Sequence, residues 1–280
     1  MNKFDAYLDS LVSLAIAEDI GSGDVTTRLL VDGKAQGRAR VIAKEDLVLA
    51  GRRPFERVFS MLSAGIASHF MLADGAAAQS GQIIAELEGP FAALLNGERT
   101  ALNFLQRLSG IATLTRAYVE KIQPHKAVLL DTRKTTPGWR VLEKEAVRCG
   151  GGTNHRIGLF DALLIKENHI VASGGIAAAL DRARHKLSPL VSVEIEIRNL
   201  SELQEALAGN PDVIMLDNMS LADIRKSVEI TAGRLPLEAS GNVTLATIAD
   251  IAATGVDYIS CGAITHSARA VDLSMLIEKL

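Results

Sequence analysis

The chain has 280 residues, 48% of them hydrophobic and 22% charged, with a formal net charge of −3. That length allows a sizeable core in one large domain or two unequal ones, and the mildly acidic balance gives no support for nucleic acid or an anionic membrane as partner. Plentiful Gly and Ala with few aromatics suit close helix-on-strand packing rather than an all-β sandwich.

The opening MNKFDAYLDS meets acidic residues at once and has no long apolar stretch, so no signal peptide is expected. Phe4, Leu8, Leu11, Val12, Ala15 and Ile16 recur at helical spacing and predict a helix over 4–18, ending near Gly21-Ser22-Gly23. Small strands and turns follow. The apolar runs Arg38–Lys44, Leu47–Ala50 and Ile83–Leu87 are punctuated by Asp74-Gly75 and Ser80-Gly81. A helical pattern then runs from Leu94 to Ile122, and Gly110 is expected to break it in two and mark a domain boundary.

After residue 125 the texture becomes strand, loop, helix, repeated. Strands are expected at Ala127–Leu130, Ala162–Ile165, Val191–Ile197, Val213–Leu216, Leu237–Ala239 and Tyr258–Ser260. Helical patterns at Ile176–Lys186, Ser201–Ala208, Leu221–Ala232 and Leu245–Ala253 separate most of them, which implies parallel strands with right-handed crossovers. The strand runs end on polar or glycine residues: Asp131-Thr-Arg-Lys, Lys166-Glu-Asn-His, Glu194/Glu196, Asp217-Asn218, Ser240-Gly-Asn and Cys261-Gly-Ala. Use of every strand end points to an α/β barrel with an active carboxyl-terminal rim, since an open doubly wound sheet gathers function only at its switch point. Cys149 and Cys261 form no CxxC pair, so neither a disulfide framework nor a zinc site is expected, and a reducing cytoplasm is the simplest setting. No stretch approaches the roughly 18 apolar residues that span a bilayer.

Residues 131–169 carry seven basic side chains (Arg133, Lys134, Arg140, Lys144, Arg148, Arg156, Lys166) against five acids. Arg133, Lys134, Arg156 and Lys166 sit at strand ends and turns, where they suit carboxylate or phosphate capture. Lys144 and Arg148, at helical spacing, read as a solvated face. Gly150–Gly152 with Thr153 and Asn154 serves equally as an anion nest or a tight turn. Glu194 and Glu196, at i and i+2, share one side of a strand; if that side is the interior, they require cations or a metal ion. Asp217 adds a carboxylate suited to ribose hydroxyls or to Mg²⁺ carried by a diphosphate. Ser240-Gly241-Asn242 and Gly262-Ala263-Ile264-Thr265-His266 follow the last two strands, where barrels often hold a phosphate. There is no GxxxxGK[ST], GxGxxG, HExxH or GxSxG motif.

Taken together, Glu18–Gly21 with Gly23–Thr27, Glu98–Asn103, Asp131–Gly138, Gly150–Gly158, Leu164–His169, Val193–Glu196, Met215–Asn218, Glu238–Asn242 and Gly262–Ser267 resemble the quinolinate phosphoribosyltransferase family. The resemblance covers nearly the whole chain in order. It implies an α/β fold with an N-terminal open α/β sandwich domain (1–110, completed by a C-terminal helix over 268–280) and an incomplete parallel α/β barrel (111–267). It implies decarboxylating transfer of phosphoribose from phosphoribosyl pyrophosphate to quinolinate, with substrate-bound Mg²⁺ and no organic cofactor. It also implies a cytoplasmic homodimer with shared sites, in which Arg99 reaches the partner's quinolinate. In their own subunit Arg133, His155, Arg156 and Lys166 bind quinolinate and Lys134 faces the phosphoribosyl pyrophosphate. Glu196 and Asp217 take the ribose hydroxyls and Mg²⁺, and Ser240, Gly241, Asn242, Gly262, Ala263 and His266 take the 5′-phosphate. Trp139 departs from the leucine-like residue expected after Pro137-Gly138. The alternatives are a Schiff-base lyase or aldolase using Lys166 or Lys134 on a phosphate-binding barrel, or a non-catalytic sensor of pyridine acids.

Overall fold

A computed structural model describes residues 3–186 and 191–280, the side chains of Lys3, Phe4 and Lys186 excepted. In chain order the elements are α1 (Lys3–Ile20), α2 (Val25–Leu30), β1 (Gln36–Ala43), β2 (Leu47–Val48), α3 (Arg52–Leu62), β3 (Ala67–Phe70), β4 (Ala77–Ala78), β5 (Ile83–Pro90) and α4 (Phe91–Ile122). Next come β6 (Val128–Leu130), α5 (Arg140–Cys149), β7 (Leu163–Ile165), α6 (Glu167–Ser173), α7 (Ile176–Lys186), β8 (Val193–Ile197), α8 (Leu200–Ala208), β9 (Val213–Asp217) and α9 (Leu221–Thr231). The chain closes with β10 (Leu237–Ser240), α10 (Ile248–Ala252), β11 (Tyr258–Ser260), α11 (Ala263–His266) and β12 (Leu273–Lys279). The chain divides into two compact units, one of 1–114, 137–151 and 268–280, the other of 115–136 and 152–267.

The first unit is built on an antiparallel sheet in the order β12-β1-β5-β3. Along β1 alternate residues are buried, so Ala39, Val41 and Ala43 face the core while Arg38 and Arg40 pair with Glu88 and Glu86 of β5 on the other face. Phe55 packs edge-on to Phe59 and Phe70, with ring centroids 5.2 and 5.4 Å apart.

Four features differ from the sequence expectation. First, residues 268–280 form no helix: 273–279 are a strand antiparallel to β1, pairing Leu273 with Ala43 and Met275 with Val41. Leu273 and Met275 alternate with the less buried Ser274 and Leu276, a period of two that suits a half-buried strand. Second, Gly110 does not break α4, which runs unbroken for 32 residues. A Cβ there would collide with the Arg269 carbonyl oxygen, so the glycine serves close packing against the C-terminal segment. Third, Lys144 is not on a solvated face. It is 3% exposed, beside Glu143 at 0%, whose carboxylate lies 3.3 Å from Arg107; Arg148 is exposed as expected. Fourth, residues 137–151 belong to the first unit although they lie between the first two barrel strands. Within them Trp139 stacks on Phe104 at 4.6 Å, which is how the larger side chain is housed.

The second unit is a six-stranded parallel sheet in the order β6-β11-β10-β9-β8-β7. Among the described residues β6 and β7 do not pair with each other, so the barrel is incomplete. Each strand presents alternate residues to opposite sides. Ile195, Ile214, Leu216, Ala239 and Ile259 are buried on one side. Leu164, Glu196, Met215, Glu238, Ser240 and Ser260 line a cavity on the other.

Candidate active site

A cavity of about 690 Å³ opens within the second unit, inside the usual range for small-molecule sites. Thirteen of the fourteen site residues expected from the sequence meet there: Arg133, Lys134, His155, Arg156, Lys166, Glu196, Asp217, Ser240, Gly241, Asn242, Gly262, Ala263 and His266. The remaining residue, Arg99, lies exposed on α4 of the first unit and does not line the cavity.

One wall is basic. The loop after β6 carries Arg133 and Lys134, and its path is fixed by backbone contacts: Lys134 N–H donates to Thr132 Oγ1 at 3.0 Å, and Thr265 Oγ1 donates to the Lys134 carbonyl at 2.8 Å. Gly262 lets the lysine stem pass, because a Cβ there would stand 2.9 Å from Lys134 Cδ. Arg156 donates through a terminal nitrogen to the Ala162 carbonyl at 3.0 Å, while its buried Nε meets no partner. Burial first, and then the charge of Arg133, pulls the Arg156 guanidinium below its ordinary pKa. Two guanidiniums that feel each other's charge raise the local potential and favour an anion on this wall.

The opposite wall is acidic. Glu196 on β8 accepts a hydrogen bond from Lys166 Nζ at the end of β7. Asp217 at the end of β9 accepts from the Asn218 side-chain amide at 3.0 Å, and Asn218 Oδ1 in turn accepts from Asn242 at 3.0 Å. Asn218 and Asn242 both adopt left-handed backbone, with φ of +53° and +50°. Gly241 between the strand end and Asn242 has φ +100°, and a Cβ on it would collide with the Asn218 side chain.

The floor joins Glu194 to two acids that the sequence left without a role, Asp131 and Glu238. Asp131 is fully buried; its two oxygens accept from the His155 backbone N–H at 2.8 Å and the Asn154 side chain at 2.6 Å. Glu238, 1% exposed, lies 3.5 Å from His155 Nε2, and Glu194 lies 3.1 Å from the same atom. Burial lowers the His155 pKa, and the hydrogen bonds and charges of Glu194 and Glu238 raise it above its ordinary value and keep a proton on Nε2; the Arg156 N–H facing Nδ1 keeps that nitrogen an acceptor. Glu238 was findable: it stands two residues before Ser240 on one strand, the same spacing that placed Glu194 with Glu196. Asn218 carried no comparable signal. The glycines at 150–152 do not line the cavity. Gly150 closes α5 by donating to the Ala146 carbonyl and Gly151 turns at φ +94°, the tight turn rather than the anion nest.

Residues 24–109 match the family description "Quinolinate phosphoribosyl transferase, N-terminal domain" and residues 111–276 match "Quinolinate phosphoribosyl transferase, C-terminal domain". The chain belongs to the quinolinate phosphoribosyl transferase family. It is 44% identical over 268 residues to the Bacillus subtilis protein named "Probable nicotinate-nucleotide pyrophosphorylase (carboxylating)", covering 96% of this chain and 92% of that one. It is 39% identical over 290 residues to "Quinolinate phosphoribosyltransferase (decarboxylating) 1b" of Nicotiana tabacum, covering 97% and 82%. Among solved structures, the nicotinate-nucleotide pyrophosphorylase of Francisella tularensis superposes with a TM-score of 0.94 at 46% identity, over 98% of this chain and 96% of that one. The nicotinate-nucleotide pyrophosphorylase of Ehrlichia chaffeensis gives 0.91 at 38% identity, over 96% and 98%. The family fold joins a mixed α/β unit to a parallel sheet with helices, as described above. No described helix of this family member is long and apolar enough to cross a membrane.

Proposed function

We infer that this quinolinate phosphoribosyl transferase family member makes nicotinate mononucleotide, pyrophosphate and carbon dioxide from quinolinate and phosphoribosyl pyrophosphate. One observation carries the reading. A single cavity at the carboxyl ends of six parallel strands sets Arg133, Lys134 and Arg156 against Glu196 and Asp217. Such a bipolar cavity suits an anionic acceptor and a donor whose sugar carbon becomes cationic.

Arg133, Arg156 and Lys166 hold the two quinolinate carboxylates, and His155 forms the floor beneath them. Lys134 takes the diphosphate, Glu196 and Asp217 take the ribose hydroxyls, and the loops 240–242 and 262–266 take the 5′-phosphate through backbone N–H groups. The pyridine nitrogen attacks the anomeric carbon as pyrophosphate leaves, so the protein supplies positioning and charge rather than a nucleophile. The resulting cationic ring nitrogen stabilises the carbanion left when the adjacent carboxylate departs as carbon dioxide, and that carbon then takes up a proton. The oxygen donors of Glu196 and Asp217 fit a Mg²⁺ ion brought in by the diphosphate, since Mg²⁺ binds one or two carboxylates together with substrate phosphates. Such an ion neutralises charge on the leaving group. Lys166 is engaged by Glu196, which suits a carboxylate-binding cation and gives no support to the Schiff-base alternative.

The working unit is proposed to be a cytoplasmic homodimer. Arg99, exposed on α4 and absent from its own cavity, completes the quinolinate site of the second subunit. Purified protein with quinolinate, phosphoribosyl pyrophosphate and Mg²⁺ is expected to release carbon dioxide, and nicotinate in place of quinolinate is expected to give little nucleotide. Tight quinolinate binding without release would leave a sensor and overturn the reading.

A further inference from the structure

The cluster of His155, Glu194 and Glu238 is the least economical part of the cavity. The Glu238 side chain is 2% exposed and that of Glu194 10%, and the Oε1 atom of each is buried without a hydrogen-bond partner. Two carboxylates so buried cost stability, and apolar side chains of similar size usually serve a core as well. A role in folding does not account for them.

Both ring nitrogens of His155 are turned to the protein. Nε2 faces Glu194 Oε2 at 3.1 Å and Glu238 Oε2 at 3.5 Å, while Nδ1 accepts the Arg156 backbone N–H at 2.8 Å. The His155 backbone N–H is itself fixed on Asp131. The imidazole therefore links the acids of the floor to the backbone of Arg156, whose guanidinium is anchored at Ala162.

We propose that Glu194 and Glu238 are positioning residues for recognition of the dicarboxylate acceptor, holding the His155 ring so that it sets Arg156 beside Arg133. The inference rests on the reading above, in which Arg133 and Arg156 take the quinolinate carboxylates. The arrangement follows a general pattern in which a histidine is oriented by carboxylates behind it. A bound metal ion is the rival use of the same three groups, whose ligand atoms lie within 4.8 Å of one another.

The test is Glu238→Gln, which keeps the volume and removes the charge, with Glu194→Gln as a second variant should the first fail to fold. The expected result is a rise in KM for quinolinate of about 10- to 100-fold, the range found when such outer partners are removed. KM for phosphoribosyl pyrophosphate and kcat should change far less. In the ligand-free protein the ¹⁵N signals of the His155 ring and of the Arg156 amide should both move. An equal rise in both KM values, or unmoved His155 and Arg156 signals, would sink the proposal. So would a stoichiometric metal ion that is present in the native protein and lost in the variant. A native protein that fails to bind quinolinate at all would defeat the functional reading instead, and the signals of the ligand-free protein would still decide the positioning role.

Discussion

Lys166 Nζ donates a hydrogen bond to Glu196 Oε2, tying the end of β7 to the neighbouring β8. Each side chain holds the other's charge in place before substrate arrives. Lys166→Met removes a cation from the acceptor side and leaves Glu196 without this donor. The variant should lose kcat/KM for quinolinate by about 100-fold, consistent with loss of one charged contact to the substrate. Steady-state kinetics in both substrates check it. Glu196→Gln should instead act mainly on phosphoribosyl pyrophosphate.

Arg99 and Arg133 are assigned to the same quinolinate but to different subunits. Arg99→Ala and Arg133→Ala homodimers should each be nearly inactive. Dissociated and reassociated together, they should regain about a quarter of the native activity, because half the dimers are mixed and each mixed dimer carries one intact site. No recovery on mixing would place Arg99 in its own subunit's chemistry or outside catalysis.

At Gly241, φ is +100° and a Cβ would meet the Asn218 side chain. Gly241→Ala should therefore displace Asn218 from Asp217 and Asn242. KM for phosphoribosyl pyrophosphate should rise about tenfold, equivalent to about 1.4 kcal/mol, with quinolinate affinity nearly unchanged. Equilibrium binding of each substrate alone separates the two effects.

Gly110 makes a stability test away from the site. Gly110→Ala would press a methyl group on the Arg269 carbonyl in the segment leading to β12. The expected cost is about 1–3 kcal/mol, the usual range for overpacking, despite the better helix propensity of alanine. Hydrogen exchange should show the loss concentrated in β12 and β1.

Asp74 provides a pH test with a definite sign. Burial, partly offset by the Arg52 backbone N–H and its charge, raises its carboxyl from 3.8 to about 6. The folded state thus favours the neutral acid. Its stabilising contribution is full below about pH 4 and is lost as pH rises through about 6. At pH 7 Asp74→Asn should be more stable than the native protein, by an amount on the order of 2 kcal/mol. The difference should vanish near pH 4. Paired urea melts at the two pH values measure it, and equal stabilities at pH 7 would refute the assignment.

The cavity residues were legible in the sequence because they obey local rules. A strand exposes alternate residues to one side, so Glu194 with Glu196 and Lys166 after Leu164 could be placed from spacing alone. The alternation of strands and helices then put all strand ends on one rim. What local spacing could not supply was any contact between distant segments. That His155, Glu194 and Glu238 share one hydrogen-bonded floor depends on the strand order β10-β9-β8 and on a loop fixed by Asp131. Gly110 reads locally as a helix breaker, and only the Arg269 carbonyl packed against α4 explains it. The C-terminal helix that the resemblance implied is a strand because β1 pairs with it, and Lys144 reads as solvated until α5 is packed. Periodicity and chain order are properties of neighbouring residues, and the sequence by itself determined the parallel sheet, its active rim and most of the cavity's side chains. Burial, register and the partner of each buried charge are properties of residues brought together across the chain, and only the tertiary structure decided those.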